Sequence, residues 1–248
     1  MLTFGSLFAG IGGFDLGFEK AGMQCKWQVE IDDWCSRVLA KHWPEVNRYG
    51  DIRECGRHNL EAVDVICGGF PCQPVSSAGK RQAQADLRWL WPEFARIITE
   101  LRPKYAVMEN VPGLLHRGMG NVLVDLAEAG YDAEWNCIPA SALGAPHKRE
   151  RVIIVAYTRS TGLERCIRWS ELDVFPTDNL STPQLWAHWP DDIPKPFIDR
   201  SDDGFSRRME RLSGLGNALV PQLAEWIGRQ IVAVENSCQN SQTASQPL

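Results

Sequence analysis

Apolar residues along most of this chain fall in short blocks that alternate between two spacings. Leu2 to Phe8 is an apolar run of strand length, Ala9-Gly10-Ile11-Gly12-Gly13 turns the chain, and Phe14 to Ala21 repeats apolar residues at helical spacing. Gln28-Val29-Glu30 ends a second short strand, Asp33 to His42 reads as a helix stopped near Pro44, and Gly50-Asp51-Ile52 follows a third strand position. Val63 to Cys67 is the next apolar run and leads into Gly68-Gly69-Phe70-Pro71-Cys72-Gln73. Helical spacing resumes over Leu87 to Leu101, then Lys104 to Met108 reads as a strand and Asn121 to Ala129 as a helix ended by Gly130. Tyr131 to Ile138 and Arg151 to Tyr157 read as closing strands.

Strands alternating with helices predict an α/β fold on a mostly parallel sheet. The pattern breaks from Thr158 to about Phe205, which is rich in Pro, Asp, Ser and Trp (Trp169, Trp186, Trp189), and returns at Gly216-Asn217-Ala218, opening a helix through Val232. The expected organisation is a core over 1–157, a short variable segment over 158–206, a helix over 207–235 that returns to the core, and a polar tail over 236–248 that frays.

At 248 residues and 44% hydrophobic content the chain can bury a full core. No signal peptide and no uninterrupted membrane-spanning run is legible, so a soluble, cytoplasmic protein is expected. The eight cysteines include no Cys-x-x-Cys pair and no Cys/His set at zinc spacing, which argues for reduced thiols and against a metal centre. A net charge of −5 does not advertise nucleic-acid binding, so any such surface must be local. Residues 71–104 hold six basic residues (Lys80, Arg81, Arg88, Arg96, Arg102, Lys104) against three acidic ones, which fits either such a surface or a solvated helix face.

The chemistry concentrates at two strand ends. Cys72 follows one apolar run and Glu109-Asn110-Val111 follows another, so a thiol and a carboxylate are expected at one edge of the sheet. A thiolate attacks a ring carbon more readily when a neighbouring acid engages the ring's heteroatom, and cytosine is a ring of that kind. Glu30 lies twenty residues beyond Gly10, the spacing at which nucleotide-binding sheets offer an acid to ribose hydroxyls. This pattern does not separate a dinucleotide from S-adenosylmethionine.

In order, Phe8-Ala9-Gly10-Ile11-Gly12-Gly13, Glu30, Asp51, Pro71-Cys72-Gln73, Glu109-Asn110-Val111, Lys148-Arg149-Glu150-Arg151 and Gly216-Asn217 resemble the ordered motifs of the DNA cytosine-C5 methyltransferases. The resemblance covers about residues 2–157 and 207–232 and implies a Rossmann-like S-adenosylmethionine-dependent methyltransferase fold with a reduced target-recognition insert. It implies catalytic roles for Cys72 as nucleophile at cytosine C6, Glu109 at N3 and the exocyclic amine, and Arg151 and Arg149 as cationic donors near the carbonyl, the thiolate or a phosphate. It places the cofactor, S-adenosylmethionine, across Phe8, Ala9, Gly10, Ile11, Gly12 and Gly13, with Glu30 on the ribose, Ile31 against the adenine, Asp51 and Ile52 at the adenine edge, and Pro71, Asn217 and Ala218 completing the wall. Gln73, Ser76, Lys80 and Arg88 match positions that close over double-stranded DNA, from which the target base is flipped. His147 stands where the family often has glutamine.

The segment from Thr158 to Glu210 matches the family least. It carries seven basic and ten acidic residues, a net of −3, so either a short recognition sequence or recognition supplied by another chain is expected. Compact relatives of this kind occur in phages and prophages. The expected partners are double-stranded DNA and a cognate restriction endonuclease, with the chain itself a monomer. Two other readings stay open: an RNA cytosine methyltransferase on the same core, and a DNA-binding or regulatory subunit that relies on a partner.

Overall fold

The computed structural model describes residues 1–71, 89–139, 150–159 and 219–243, together with Ala142, Ile167 and Trp169. Seven strands form one sheet: β1 (Thr3–Leu7), β2 (Gln24–Val29), β3 (Asn47–Tyr49), β4 (Val65–Gly68), β5 (Tyr105–Asn110), β6 (Tyr131–Pro139) and β7 (Glu150–Thr158). Their spatial order is β3-β2-β1-β4-β5-β7-β6, with β3 to β5 parallel and β7 running antiparallel between β5 and β6. The expected Rossmann-like α/β architecture is therefore present. β4, β5 and the centre of β7 are buried on both faces, which is why they read as unbroken apolar runs rather than as alternation.

The helices cover both faces. On one side, α1 (Gly13–Lys20) packs with α6 (Pro221–Thr243) over Phe4, Val65, Val107 and Val155. On the other, α3 (Trp91–Leu101), the short α4 (Leu114–Arg117) and α5 (Met119–Glu128) cover Leu7, Ile66, Ala106 and Ile154. α2 (Asp33–His42) joins β2 to β3, its first turn capped by Asp32, whose carboxylate accepts from the Cys35 N–H at 2.8 Å. α1 and α6 approach closely because Gly17 lies against Ala224 and Pro221, and Gly228 against Ala21 and Phe18. The helix that follows the variable segment is thus keyed into the first helix of the chain.

Two expectations about elements change, and one short helix is additional. α3 starts at Trp91 rather than Leu87, because Pro92 lacks an N–H and fits only the first turn; residues 87 and 88 lie outside the described set, and Trp89 and Leu90 are not helical. α4 carries too few residues to show a period. The last helix runs on to Thr243, so the tail expected to fray over 236–248 is helical through that point. Glu235 is buried, accepting from Lys104 Nζ at 2.8 Å and from the Tyr105 hydroxyl at 3.0 Å. The last residue of the expected helix thus anchors it to β5 and the loop before it.

Half of the local basic run is likewise consumed by the fold. Arg96 donates to the carbonyls of Ile52 and Cys55 and pairs with Glu93 and Glu100. Arg102 donates to the Ala129 carbonyl and stacks over Tyr131, and Lys104 pairs with Glu235. These three tie elements together. No helix among the described residues is long and apolar enough to cross a membrane.

Candidate active site

Strand order reverses between β1 and β4, and the loops leaving their C-terminal ends diverge there, the place where open α/β sheets take ligands. Three loops meet at this edge: 8–12 after β1, 69–71 after β4 and 111–113 after β5.

The first loop is the glycine turn. Phe8 leaves β1 with φ of 51°, a left-handed conformation uncommon for a non-glycine residue, and its ring stacks on Phe94 with centroids 6.3 Å apart. The Ala9 N–H donates to the Val29 carbonyl and the Gly12 N–H to the Ala9 carbonyl, closing the turn. Gly10 has φ of 56°, and a Cβ there would meet no atom within 4 Å, so it faces open space. Gly12, with φ of 87°, shares that conformation, and it and Gly13 are also closely packed. A Cβ on Gly12 would lie 2.5 Å from the Trp43 ring, and one on Gly13 would lie 2.6 Å from the Leu219 carbonyl oxygen. Of the three glycines, Gly10 alone has open space in the direction a side chain would take.

Glu30 sits at the end of β2 with both carboxylate oxygens engaged, accepting from the Gly10 N–H at 2.7 Å and the Asp32 N–H at 2.8 Å. Burial pushes its pKa up from the usual glutamate value, against the pull of those two amides. Ile31, beside it, is 69% exposed and offers a flat planar group an apolar contact. Open backbone at Gly10, a fixed acceptor twenty residues on and an exposed apolar neighbour fit an adenosine-bearing cofactor. Asp51 caps the one-turn helix Ile52–Glu54, accepting from the Arg53 N–H at 3.0 Å, and Ile52 is buried.

The second and third loops are fastened to each other. Asn110, at the end of β5, donates from Nδ2 to the Phe70 carbonyl at 2.9 Å and accepts from the Val111 N–H at 2.9 Å. Gly69 lies so close to Glu109 that a Cβ there would be 2.8 Å from the carboxylate. Glu109 is buried and pairs with Arg151, Nε to Oε1 at 2.7 Å, and the Arg151 Nη1 donates to the Glu150 carbonyl at 2.8 Å. Two predicted catalytic side chains from β5 and β7 thus meet at the edge where Pro71 leads into Cys72. Cys72, Gln73, Ser76, Lys80, Arg88, Arg149, Asn217 and Ala218 lie outside the described residues, as does nearly all of the variable segment.

The thiols that are described are poor nucleophiles. Burial raises Cys25 and Cys67 well above the ordinary thiol value, lifts Cys35 to about 12 and Cys55 to about 11, and raises Cys137. Each stays protonated at neutral pH.

The sequence profile of the C-5 cytosine-specific DNA methylases matches residues 2–187. The chain belongs to that family. Type II methyltransferase M.BsuFI of Bacillus subtilis is 36% identical to this methylase-family chain over 167 residues, 65% of the chain and 41% of the relative. Type II methyltransferase M.HgiCII of Herpetosiphon aurantiacus is 33% identical over 223 residues, 83% of the chain and 49% of the relative. The family member spans about half the length of the curated relatives it matches. Among solved structures, a prophage-encoded Escherichia coli protein described as a DNA modification methyltransferase superposes with a TM-score of 0.58 at 30% identity, covering 66% of this chain and 49% of that one.

Sequence reasoning assigned no role to Ser6, Asp15, Gln28, Gly69 or Asn110. The signal for Asp15 was a charge inside the apolar spacing of Phe14 to Phe18, where a surface residue would not fall. Ser6, Gln28 and Asn110 carry no such signal, because short polar residues near strand ends are common.

Proposed function

We propose that this methylase-family chain transfers the methyl group of S-adenosylmethionine to C5 of a cytosine flipped out of double-stranded DNA, through a covalent bond to Cys72. The observation that carries the reading is the Glu109–Arg151 pair, held at 2.7 Å where Asn110 fastens the end of β5 to Phe70, two residues before Cys72. Family membership and the raised thiols elsewhere in the core support Cys72 as the nucleophile.

On this reading the Cys72 thiolate adds to C6, and the electron pair of the C5–C6 bond is driven onto C5. Glu109 hydrogen-bonds N3 and the exocyclic amine, stabilising the activated ring, while Arg151 holds that carboxylate and directs positive charge toward the carbonyl. The chemistry supplied by bound S-adenosylmethionine is an electrophilic methyl group, which C5 takes. Loss of the C5 proton and departure of the Cys72 sulfur from C6 restore the ring. Gly10, Glu30 and Ile31 hold the adenosine, with Asp51 and Ile52 at the adenine edge and Phe8, Ala9, Ile11, Gly12, Gly13, Pro71, Asn217 and Ala218 around it. Unstacking the base costs about a few kcal/mol, offset by contacts from Gln73, Ser76, Lys80 and Arg88. The reading includes a monomeric cytoplasmic enzyme with a cognate restriction endonuclease as companion, the last supported by the Type II designation of the relatives.

The test is incubation of the full chain with mixed-sequence unmethylated duplex DNA and methyl-labelled S-adenosylmethionine, followed by bisulfite mapping, with RNA of the same sequences in parallel. 5-Methylcytosine in a fixed DNA context is expected. Transfer to RNA alone, or none without an added partner chain, would overturn the substrate assignment.

A further inference from the structure

One buried carboxylate has no part in the chemistry above. Asp15, in the first turn of α1, is fully buried and accepts from the Gln28 Nε2 at 2.8 Å, from the Ser6 hydroxyl at 3.0 Å and from the Cys25 thiol at 3.6 Å. Ser6 and Gln28 are themselves fully buried and are paired across β1 and β2. Gln28 is paired in turn with Arg48 of β3, whose Nη1 lies 3.5 Å from the Gln28 Oε1 and donates to the Trp43 carbonyl at 2.6 Å. The Trp43 ring occupies the space beside Gly12. These contacts form a circuit around the glycine turn: Asp15 on the helix that leaves it, Ser6 two residues before Phe8 on the strand that enters it, Gln28 two residues before Glu30, and Trp43 against its far side.

No cation pairs with Asp15 in this circuit, and burial raises its pKa. An apolar side chain would suit that core position better for stability alone, because a buried carboxylate fastened by neutral donors gains little net energy. What it supplies is direction, since its two oxygens face two different strands.

The geometry points to Asp15 as a positioning residue for the cofactor: through Ser6 and Gln28 it fixes the glycine turn and Glu30 relative to each other, and so sets the affinity for S-adenosylmethionine without touching it. This rests on the reading of the Gly10 and Glu30 edge as the cofactor site. The Gly10 N–H to Glu30 contact is the junction that the circuit holds in register.

The test is titration calorimetry of the full chain with S-adenosylhomocysteine, beside initial-rate kinetics in S-adenosylmethionine. Asp15→Ala is expected to weaken binding about tenfold, the equivalent of losing one to two net hydrogen bonds, and to raise KM in parallel while kcat at saturation holds. Asp15→Asn, whose amide can still accept from Gln28 and can donate to the Ser6 oxygen, is expected to restore wild-type affinity. Glu235→Gln is the control, a buried carboxylate at the opposite end of the sheet, and should lower the unfolding midpoint with affinity unchanged. Equal affinity in wild type and Asp15→Ala, or an equal loss in Glu235→Gln, overturns the inference. If Asp15→Ala does not fold, Ser6→Ala and Gln28→Ala each remove one donor and should weaken binding about threefold; unchanged affinity in both overturns it too. A wild-type chain that binds neither compound removes the cofactor reading and this inference together, whereas wild-type binding with an indifferent Asp15→Ala removes the inference alone.

Discussion

The two ends of the central sheet both bury carboxylates, and they use them differently. At the end where β1, β4 and β5 begin, Asp64 accepts from the Thr3 N–H and hydroxyl, while Glu235 of α6 takes Lys104 and Tyr105, partners 131 and 130 residues away. Those contacts join regular elements distant in sequence and close the fold. At the end where the same strands finish, Glu30 holds the backbone amides of Gly10 and Asp32, Asn110 holds the Phe70 carbonyl, and Glu109 takes Arg151. There the side chains fix loop backbone and each other. One set of polar groups fastens elements and the other arranges a site, so removing a group should damage stability at one end and chemistry at the other.

The sharpest way to break this contrast is at the loop beyond Phe70. Cys72→Ser should abolish measurable methyl transfer, because a serine hydroxyl is not appreciably ionised at neutral pH, with the unfolding midpoint and S-adenosylhomocysteine affinity retained; surviving turnover would sink the covalent step. Next, Glu109→Gln should lower kcat by about 10² to 10⁴-fold, the range for a positioned acid or base, in a single-turnover assay, while thermal unfolding barely moves. Glu235→Ala should do the reverse. Denaturant unfolding should show a loss of about 1–3 kcal/mol from stranded hydrogen-bond partners, with kcat and cofactor affinity as in wild type. Asp51→Ala should cost about 0.5–1 kcal/mol as a lost helix cap, and a matching loss of cofactor affinity would move Asp51 to the functional end.

The smallest effect is a pH dependence. Burial raises the Asp15 pKa, so the folded chain keeps that proton after the unfolded chain has released it. Stability should therefore fall as pH rises from the usual aspartate value of 3.8 toward the raised one, then level off. Asp15→Asn should remove that decline in urea melts at stepped pH; an unchanged slope would place the titration elsewhere.

Most strands and helices could be read from the chain because their apolar spacing is local: α2 falls at the expected residues, and β1, β6 and β7 within one or two of them. The start of α3 was hidden by reading spacing ahead of Pro92, and the end of α6 by reading polarity as disorder. In the site, Gly10, Glu30, Glu109 and Arg151 were legible as residue types at recognisable spacings. The sequence by itself determined the alternation of strands and helices, the family and the candidate site residues, since each depends on neighbours or on fixed spacing along the chain. Only the tertiary structure decided that a side chain at Gly12 or Gly13 would collide with Trp43 or Leu219 while Gly10 faces open space, that Arg96, Arg102 and Lys104 make contacts within the fold, and that Asp15 joins two strands beneath the glycine turn. Whether a polar group is spent internally or left facing a ligand depends on which distant residues come within about 3 Å of it, and chain folding alone sets that distance.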